Sequence, residues 1–296
     1  PLSALRSPIP VRTRERKTRT FSGQLQPLKK HASACFCTAL IVLIMAVSLA
    51  GCTGRSVTDR SGQVTLTVSA AADLTYAFQE IGVVFENETG TRVVFNFGSS
   101  GQLAQQIRQG APVDVFASAS RALVEDLDKG GLIVAGTNML YAKGRIGSWP
   151  RDGSPFYPDN IQDLTRPEVK RIAIANPEHA PYGMAAMQAF QSANIWDVVR
   201  PKLVMAENAS QTLQYAKTGN VDVAIVPLSL VVQNTNSHWV LIPENFHQPI
   251  EQTLGIIRGT PHEKEAYQFI ALINSHKGRD IMRKYGFTLP GEELPR

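Results

Sequence analysis

A turn rich in serine and glycine is the part of this sequence best suited to chemistry. Residues 98–101 (GSSG) follow an apolar run, residues 93–97, that predicts a buried strand, and they precede a helical pattern that begins near Gln102. The first turn of a helix leaves backbone N–H groups without partners and adds the positive end of the helix dipole. Hydroxyls and amides gathered there suit an anion. The simpler alternative is a serine that caps the helix and binds nothing.

The same arrangement recurs at other points of the chain. Small or polar pairs stand between a strand-like run and a helical run at Ala72-Asp73, Ser99-Ser100, Tyr182-Gly183 and Ala209-Ser210. In open α/β sheets, ligands bind beyond the carboxyl ends of the strands, at junctions of this kind. The repetition favours a ligand site over a set of unrelated helix caps.

Strands and helices alternate through most of the chain. The pattern predicts a βαβαβα series from residue 64, then a second βα set, then a returning strand and two helices at the C-terminal end. We therefore expect an α/β protein of two lobes, each a mixed, mainly parallel sheet flanked by helices. Residues 64–140 and 249–292 form the predicted lobe 1, and residues 141–248 form the predicted lobe 2.

Residues 1–52 have the pattern of an export leader. Residues 1–33 carry eight Lys or Arg and one Glu, and an uncharged apolar run then ends at Cys52. Residues 49–52 (LAGC) resemble the bacterial lipobox, in which the cysteine is lipidated and becomes the new N-terminus. We expect an exported, lipid-anchored protein facing the outside or the periplasm, with a polar tether at residues 53–63. The alternative is an uncleaved membrane anchor.

The charge and the cysteine content limit which binding partners and metal sites the sequence favours. The net charge is +5, but residues 1–33 contribute more than this, so the remainder is slightly acidic and does not favour nucleic acid as a partner. The cysteines, Cys35, Cys37 and Cys52, all lie in the leader, so the exported part has no disulfide and no cysteine-based metal site. The histidines show no spacing typical of metal ligands.

Six short segments carry a resemblance to a known family. They are SAAADL (69–74), FGSSG (97–101), QIRQGAP (106–112), VFASA (115–119), NPEHAPYG (176–183) and KYGF (284–287). In this order they resemble the periplasmic molybdate-binding proteins of ABC importers, which belong to the type II class of extracytoplasmic solute receptors. The resemblance implies two lobes joined by a hinge, which close on a tetrahedral dianion, and a permease in the membrane as partner. We expect a monomer with no cofactor and no enzymatic activity.

The resemblance also implies which residues bind the oxyanion. In the family, backbone N–H groups come from the residue after the three alanines, from the second serine of the turn, from the residue after a proline and from the start of a later helix. These positions are Asp73, Ser100, Tyr182 and Ala209 here, and the Ser100 hydroxyl is a further donor. Ser99 is an additional candidate. Molybdenum would be bound only as molybdate, through these residues.

Two positions depart from the family pattern. Asp73 would bring a carboxylate close to a dianion, so we expect its side chain to cap its own helix by accepting from the N–H of Thr75 or Tyr76. Its backbone N–H could still face the ligand. A tyrosine hydroxyl used in one branch of the family falls on Pro227, which has none, and Ser229 is the candidate replacement.

Alternatives stay open both for the identity of the ligand and for the class of protein. A site built only from donors suits molybdate, which carries no proton near neutral pH, and equally suits tungstate. A receptor of the same fold for sulfate, phosphate or a small organic acid stays open. A serine hydrolase that uses Ser100 with His179 and Asp114 is the remote alternative, because the sequence has the residue types but lacks a G-x-S-x-G elbow.

Overall fold

The computed structural model describes residues 63–234 and 238–292. The predicted leader with Cys52, and the predicted tether apart from Gln63, lie outside the described residues. The strands are β1 (Thr65–Ala71), β2 (Arg92–Gly98), β3 (Val115–Ser118), β4 (Met139–Gly144), β5 (Ile146–Pro150), β6 (Ile172–Ala175), β7 (Leu203–Ala206), β8 (Val223–Pro227), β9 (Val240–Leu241) and β10 (Ile250–Ile256). The α-helices are α1 (Thr75–Thr89), α2 (Ser100–Arg108), α3 (Arg121–Lys129), α4 (Pro181–Ser192), α5 (Trp196–Val199), α6 (Ala209–Lys217), α7 (Glu263–Asn274) and α8 (His276–Lys284). Within these described ranges, every helix is too short or too polar to traverse a lipid bilayer.

The strands form two five-stranded sheets. The first sheet has the order β2-β1-β3-β10-β4, and the second has the order β7-β6-β8-β5-β9. In each sheet four strands run in one direction, and one strand, β10 or β5, is inserted antiparallel between two of them. The prediction of two α/β lobes with mixed, mainly parallel sheets is confirmed.

The connection between the two sheets is short. Strand β4 of the first sheet ends at Gly144, β5 of the second begins at Ile146, and Arg145 alone joins them. The chain returns between the end of β9 at Leu241 and the start of β10 at Ile250. The sequence-based boundary between residues 140 and 141 falls inside β4, before this crossing.

Aromatic side chains fix the helices on the first sheet. Phe78 and Phe85 of α1 meet the ring of Phe269 in α7 edge-on, with ring centroids 5.9 and 5.3 Å apart. All three rings are fully buried, and burying such a side chain contributes about 1.5–3 kcal/mol. This packing holds α1 and the turn before it in one position relative to the sheet.

Three local features differ from the sequence-based expectation. Strand β2 lies at the edge of its sheet and is half exposed, because it pairs only with β1, so the prediction of a buried strand was wrong. The helical pattern of the sequence predicts a start at Met184, whereas helix α4 begins at Pro181, since proline fits the first helical position without needing an N–H partner. Helix α2 begins at Ser100, ahead of the predicted Gln102.

Candidate functional site

A small cavity lies between the lobes, beyond the carboxyl ends of β1 and β2. It is lined by Ala71, Ala72, Asp73, Gly98, Ser99, Ser100, Ala119, Ala180, Pro181, Tyr182 and Ala209. Its volume is about 10 Å³. Sites for drug-sized organic ligands measure roughly 300–1,000 Å³, so this cavity suits only a very compact ligand.

The structure brings most of the sequence-predicted ligand residues together at this cavity. Asp73, Ser99, Ser100, Tyr182 and Ala209 all line it, although they come from four separate strand-to-helix junctions. The two remaining candidates have other positions. Ser229 donates its hydroxyl to the backbone carbonyl of Asp73 at 2.7 Å, and Pro227 ends β8 opposite Ile146.

Three helix N-termini point their first turns at the cavity. Ser100 is the first residue of α2, Tyr182 the second residue of α4 and Ala209 the first residue of α6. Backbone N–H groups at these positions have no partner within the helix, and each helix adds the positive end of its dipole. The N-terminus of α6 is further ordered by Asn208, whose side chain accepts from the N–H of Gln211. The cavity therefore collects donors without a cationic side chain.

The hydroxyl of Ser100 keeps its proton available for donation. Its oxygen accepts a hydrogen bond from the backbone N–H of Ala119 at 3.0 Å, and the side chain is buried. A serine oxygen that already accepts in this way has its own O–H left for another partner. The residue with the full family match thus offers both an N–H and an O–H to the same small space.

The Asp73 side chain does not cap its helix, so that expectation was wrong. Residues Ala72–Leu74 form a short 3-10 turn without a side-chain cap. The Asp73 carboxyl instead accepts at Oδ2 from the Tyr182 hydroxyl at 2.8 Å and from Gln252 Nε2 at 2.7 Å. Hydrogen bonds from two side chains in distant segments replace the single hydrogen bond that a local backbone amide would give. The carboxyl therefore forms part of the contact between the lobes.

Burial changes the ionisation of this group. It raises the pKa of Asp73 to about 7 from the ordinary 3.8, because removal from water disfavours the charged form. Hydrogen bonds from Tyr182, from its own backbone N–H and from Gln252 lower the pKa by smaller amounts. Burial, together with the nearby Asp73, raises the pKa of Tyr182 and Tyr141 well above their usual range, so both phenols stay protonated.

An ionised Asp73 would conflict with an anion in the cavity. No Lys, Arg or His is among the described residues that line it. Two unit charges of like sign at 4 Å repel by about 4 kcal/mol at an effective dielectric constant of 20, and a dianion doubles this. The electrostatics of the cavity therefore favour a neutral Asp73 when an anion is present.

The lobes also meet directly beside the cavity. The Ser99 hydroxyl donates to the backbone carbonyl of His179 at 2.5 Å, and His179 Nδ1 lies 2.9 Å from the same hydroxyl oxygen. The N–H of Gly101 donates to the same carbonyl at 2.9 Å. The serine that could have capped α2 thus joins the two lobes.

Close approach explains two glycines of the site. A Cβ on Gly101 would lie 2.7 Å from the carbonyl oxygen of His179, and a Cβ on Gly144 would lie 2.0 Å from the Tyr182 hydroxyl. Both distances exclude a side chain. Neither Gly144 nor Gln252 belongs to a sequence motif that predicts a place in the site. Gln252 lies within a strand, and no local motif marks it.

The three residues of the serine hydrolase alternative do not form a catalytic triad. Asp114 lies before β3, where its carboxylate accepts from the N–H of Thr67 and contacts His262. His179 contacts Ser99 across the lobes. Hydrogen bonds within the described residues do not connect Ser100, His179 and Asp114 into a relay. Those residues also include no group of three or more His, Cys, Asp or Glu that could hold a metal ion.

The chain is similar in sequence and in fold to known solute-binding proteins. The family described as bacterial extracellular solute-binding protein matches residues 66–288. A Rhodobacter capsulatus protein named molybdate-binding protein ModA is 32% identical over 243 residues, which cover 82% of this chain and 95% of that protein. A Bacillus subtilis protein, YvgL, provisionally named an ABC transporter substrate-binding lipoprotein, is 34% identical over 262 residues, covering 86% of this chain and 96% of that protein. The solved structure of the Azotobacter vinelandii periplasmic molybdate-binding protein is 29% identical, with a TM-score of 0.72, and the match covers 76% of this chain and 99% of that one.

The raised pKa of Asp73 predicts a pH-dependent difference in stability between the protein and its Asp73→Asn variant. The folded protein holds the carboxyl proton up to about pH 7, whereas the unfolded chain releases it near pH 4. The contribution of Asp73 to the free energy of unfolding is therefore complete below pH 4 and is lost as the pH rises through 7. Relative to Asp73→Asn, the protein should lose up to about 4 kcal/mol of unfolding free energy between pH 4 and pH 8, at 1.4 kcal/mol per pKa unit. Urea denaturation at several pH values measures this difference.

Asp163→Asn is the matched control for this measurement. Asp163 is also a buried carboxylate, but it accepts from the backbone N–H groups of Asp159 and Asn160, away from the cavity. Stability curves of the protein and of Asp73→Asn that stay parallel from pH 4 to pH 8 would contradict the assignment.

Proposed function

Because the chain belongs to the bacterial extracellular solute-binding proteins, we propose that it is a receptor that binds molybdate between its two lobes and delivers it to an ABC permease. The observation that carries this proposal is the convergence of three helix N-termini and one free serine hydroxyl on a cavity of very small volume. Such a site supplies donors at several directions around one compact anion. The role is binding and release, without catalysis.

The chemistry of the donors supports a doubly charged oxyanion that carries no proton. The backbone N–H groups at the starts of α2, α4 and α6 and the Ser100 hydroxyl can each give a hydrogen bond to an oxyanion oxygen, and none of them requires a proton from the ligand. Molybdate meets this condition near neutral pH. Tungstate has the same charge and shape, so we propose that it binds as well. The names of the Rhodobacter and Azotobacter relatives support molybdate as the ligand.

Closure of the lobes follows from the same geometry. Donors from lobe 1 (Ser100) and from lobe 2 (Tyr182 and Ala209) surround one space, so an anion there bridges both lobes and favours their contact. The closed, loaded receptor is the form that the permease would recognise. We propose that the receptor acts as a monomer, because each chain brings a complete set of donors to the cavity.

Isothermal titration with four oxyanions tests the ligand. We expect heat and saturable binding with molybdate and tungstate, and much weaker binding with sulfate and phosphate. Sulfate is smaller, and phosphate at neutral pH retains a proton that needs an acceptor. Asp73 is the residue that could provide one, so binding of phosphate in preference to molybdate would replace the proposed ligand with the alternative oxyanion.

Removing the serine hydroxyl should weaken binding strongly. Ser100→Ala deletes one donor to a charged ligand, which costs about 1.5–3 kcal/mol, or roughly a 10- to 150-fold rise in Kd. Ser192→Ala, at an exposed position of α4, is the control and should bind as the unaltered protein does. An unchanged Kd for Ser100→Ala would show that this turn does not hold the ligand.

A methyl group at position 101 should block closure without unfolding either lobe. Gly101→Ala places a Cβ 2.7 Å from the carbonyl oxygen of His179, which belongs to the other lobe, so the clash arises where the two lobes meet. We expect at least a tenfold rise in Kd for molybdate with little change in the midpoint of urea unfolding. Tight binding by this variant would mean that the lobes need not meet here to hold the anion.

The leader supports membrane attachment through a lipid. We propose that Cys52 is lipidated and that the receptor faces the outside of the membrane or the periplasm; the name of the Bacillus relative includes the term lipoprotein. Cys52→Ser should move the protein from the membrane fraction to the soluble fraction, as measured by fractionation and immunoblotting. The matched control, Cys37→Ser, should stay in the membrane fraction. Retention of Cys52→Ser in the membrane would favour the uncleaved anchor.

A further inference from the structure

One acidic residue lies among the helix starts that line the cavity. Of the described residues that line the cavity, only Asp73 carries a carboxyl, and its side chain is 1% exposed. It lies at the lobe interface, because its hydrogen-bond partner Tyr182 belongs to α4 of the other lobe. Any anion held there by both lobes is therefore bound close to a buried acid.

The elements packed around Asp73 offer no positive charge. Tyr182 of α4, Gln252 of β10 and Tyr141 of β4 face its carboxyl, and both phenols stay protonated. From the α6 and β8 sides, the hydroxyls of Ser210 and Ser229 donate to backbone carbonyls of this turn. Ion pairs within the described residues do not include Asp73.

The hydrogen-bond network around Asp73 has more buried acceptors than donors. Oδ2 accepts from both Tyr182 and Gln252. Oδ1 of Asp73 and Oε1 of Gln252 are buried acceptors for which the described atoms provide no partner. Buried acceptors without a donor cost free energy. A proton on Oδ1 leaves both bonds to Oδ2 intact, turns an unpaired acceptor into a donor and removes the negative charge.

We propose that Asp73 holds a proton while the oxyanion is bound, so that the receptor takes up one proton from solvent with each dianion. The inference rests on the proposed function, since it concerns the same cavity and the same class of ligand. Asp73 thereby becomes a residue that determines which pH range favours capture and which favours release.

The direction of the effect follows from the two environments of the carboxyl. When the lobes separate, the carboxyl meets water and its pKa returns toward the ordinary 3.8; when they close, burial raises it to about 7, and a dianion nearby raises it further. Over the pH range between these values, closure consumes a proton. Affinity for the dianion should therefore fall about tenfold for each unit of pH increase up to neutral pH.

Calorimetry of the full-length chain with sodium molybdate tests the proposal. The titration is repeated at pH 6.5 in buffers of different ionisation enthalpy, and the slope of the observed heat against that enthalpy gives the number of protons exchanged. We expect uptake of about one proton per molybdate, and an affinity that falls about tenfold between pH 6 and pH 7.

Variants identify the group that takes up the proton. Asp73→Asn keeps an acceptor for Tyr182 and Gln252 but cannot ionise, so its heat should be independent of buffer and its Kd should vary less than twofold from pH 6 to pH 7. Asp163→Asn should retain the proton uptake of the unaltered protein. Binding without proton exchange in the unaltered protein, or proton uptake that persists in Asp73→Asn, would overturn the proposal alone. Absence of any molybdate binding would overturn the proposed function and this inference with it.

Discussion

The site depends on one constraint, which is how to hold a multiply charged anion out of water without a counter-ion. Partial charges must then replace full ones, and backbone amides at helix starts are the densest source of them. Each helix contributes only about half a unit charge, so several must converge. A single sheet cannot aim helices from opposite sides at one point. Two lobes can, and α2, α4 and α6 meet at the cavity from both of them.

Convergence on so small a volume requires that main chains approach one another closely. Residues around the cavity are mostly glycine, alanine, serine and proline, which keep the walls thin. The carbonyl of His179 receives hydrogen bonds from both Ser99 and Gly101, so backbone from one lobe is in contact with backbone from the other. Larger side chains at these positions would separate the lobes before the donors reached the ligand.

The sequence predicted what is encoded locally and missed what is encoded at long range. Helix starts at Ser100, Tyr182 and Ala209 follow from nearby residues, and their convergence follows from the two-lobed α/β order. The orientation of the Asp73 carboxyl does not, because its partners Tyr182 and Gln252 are 109 and 179 residues away in the chain. From neighbouring residues alone, capping its own helix is the expected role of this aspartate. In the folded protein its carboxyl makes tertiary hydrogen bonds instead.

The single-residue link at Arg145 restricts how the lobes can move. Its backbone carbonyl accepts from the N–H of Leu228, and its guanidinium donates to the carbonyl of Gly286 at 3.1 Å, so the link is tied to elements on both sides. A connection of this length permits rotation but almost no sliding of one sheet past the other. Rotation about this link would carry the helix starts of the two lobes toward or away from one another. An anion held by helix starts from both lobes would therefore keep the two sheets at one end of that rotation.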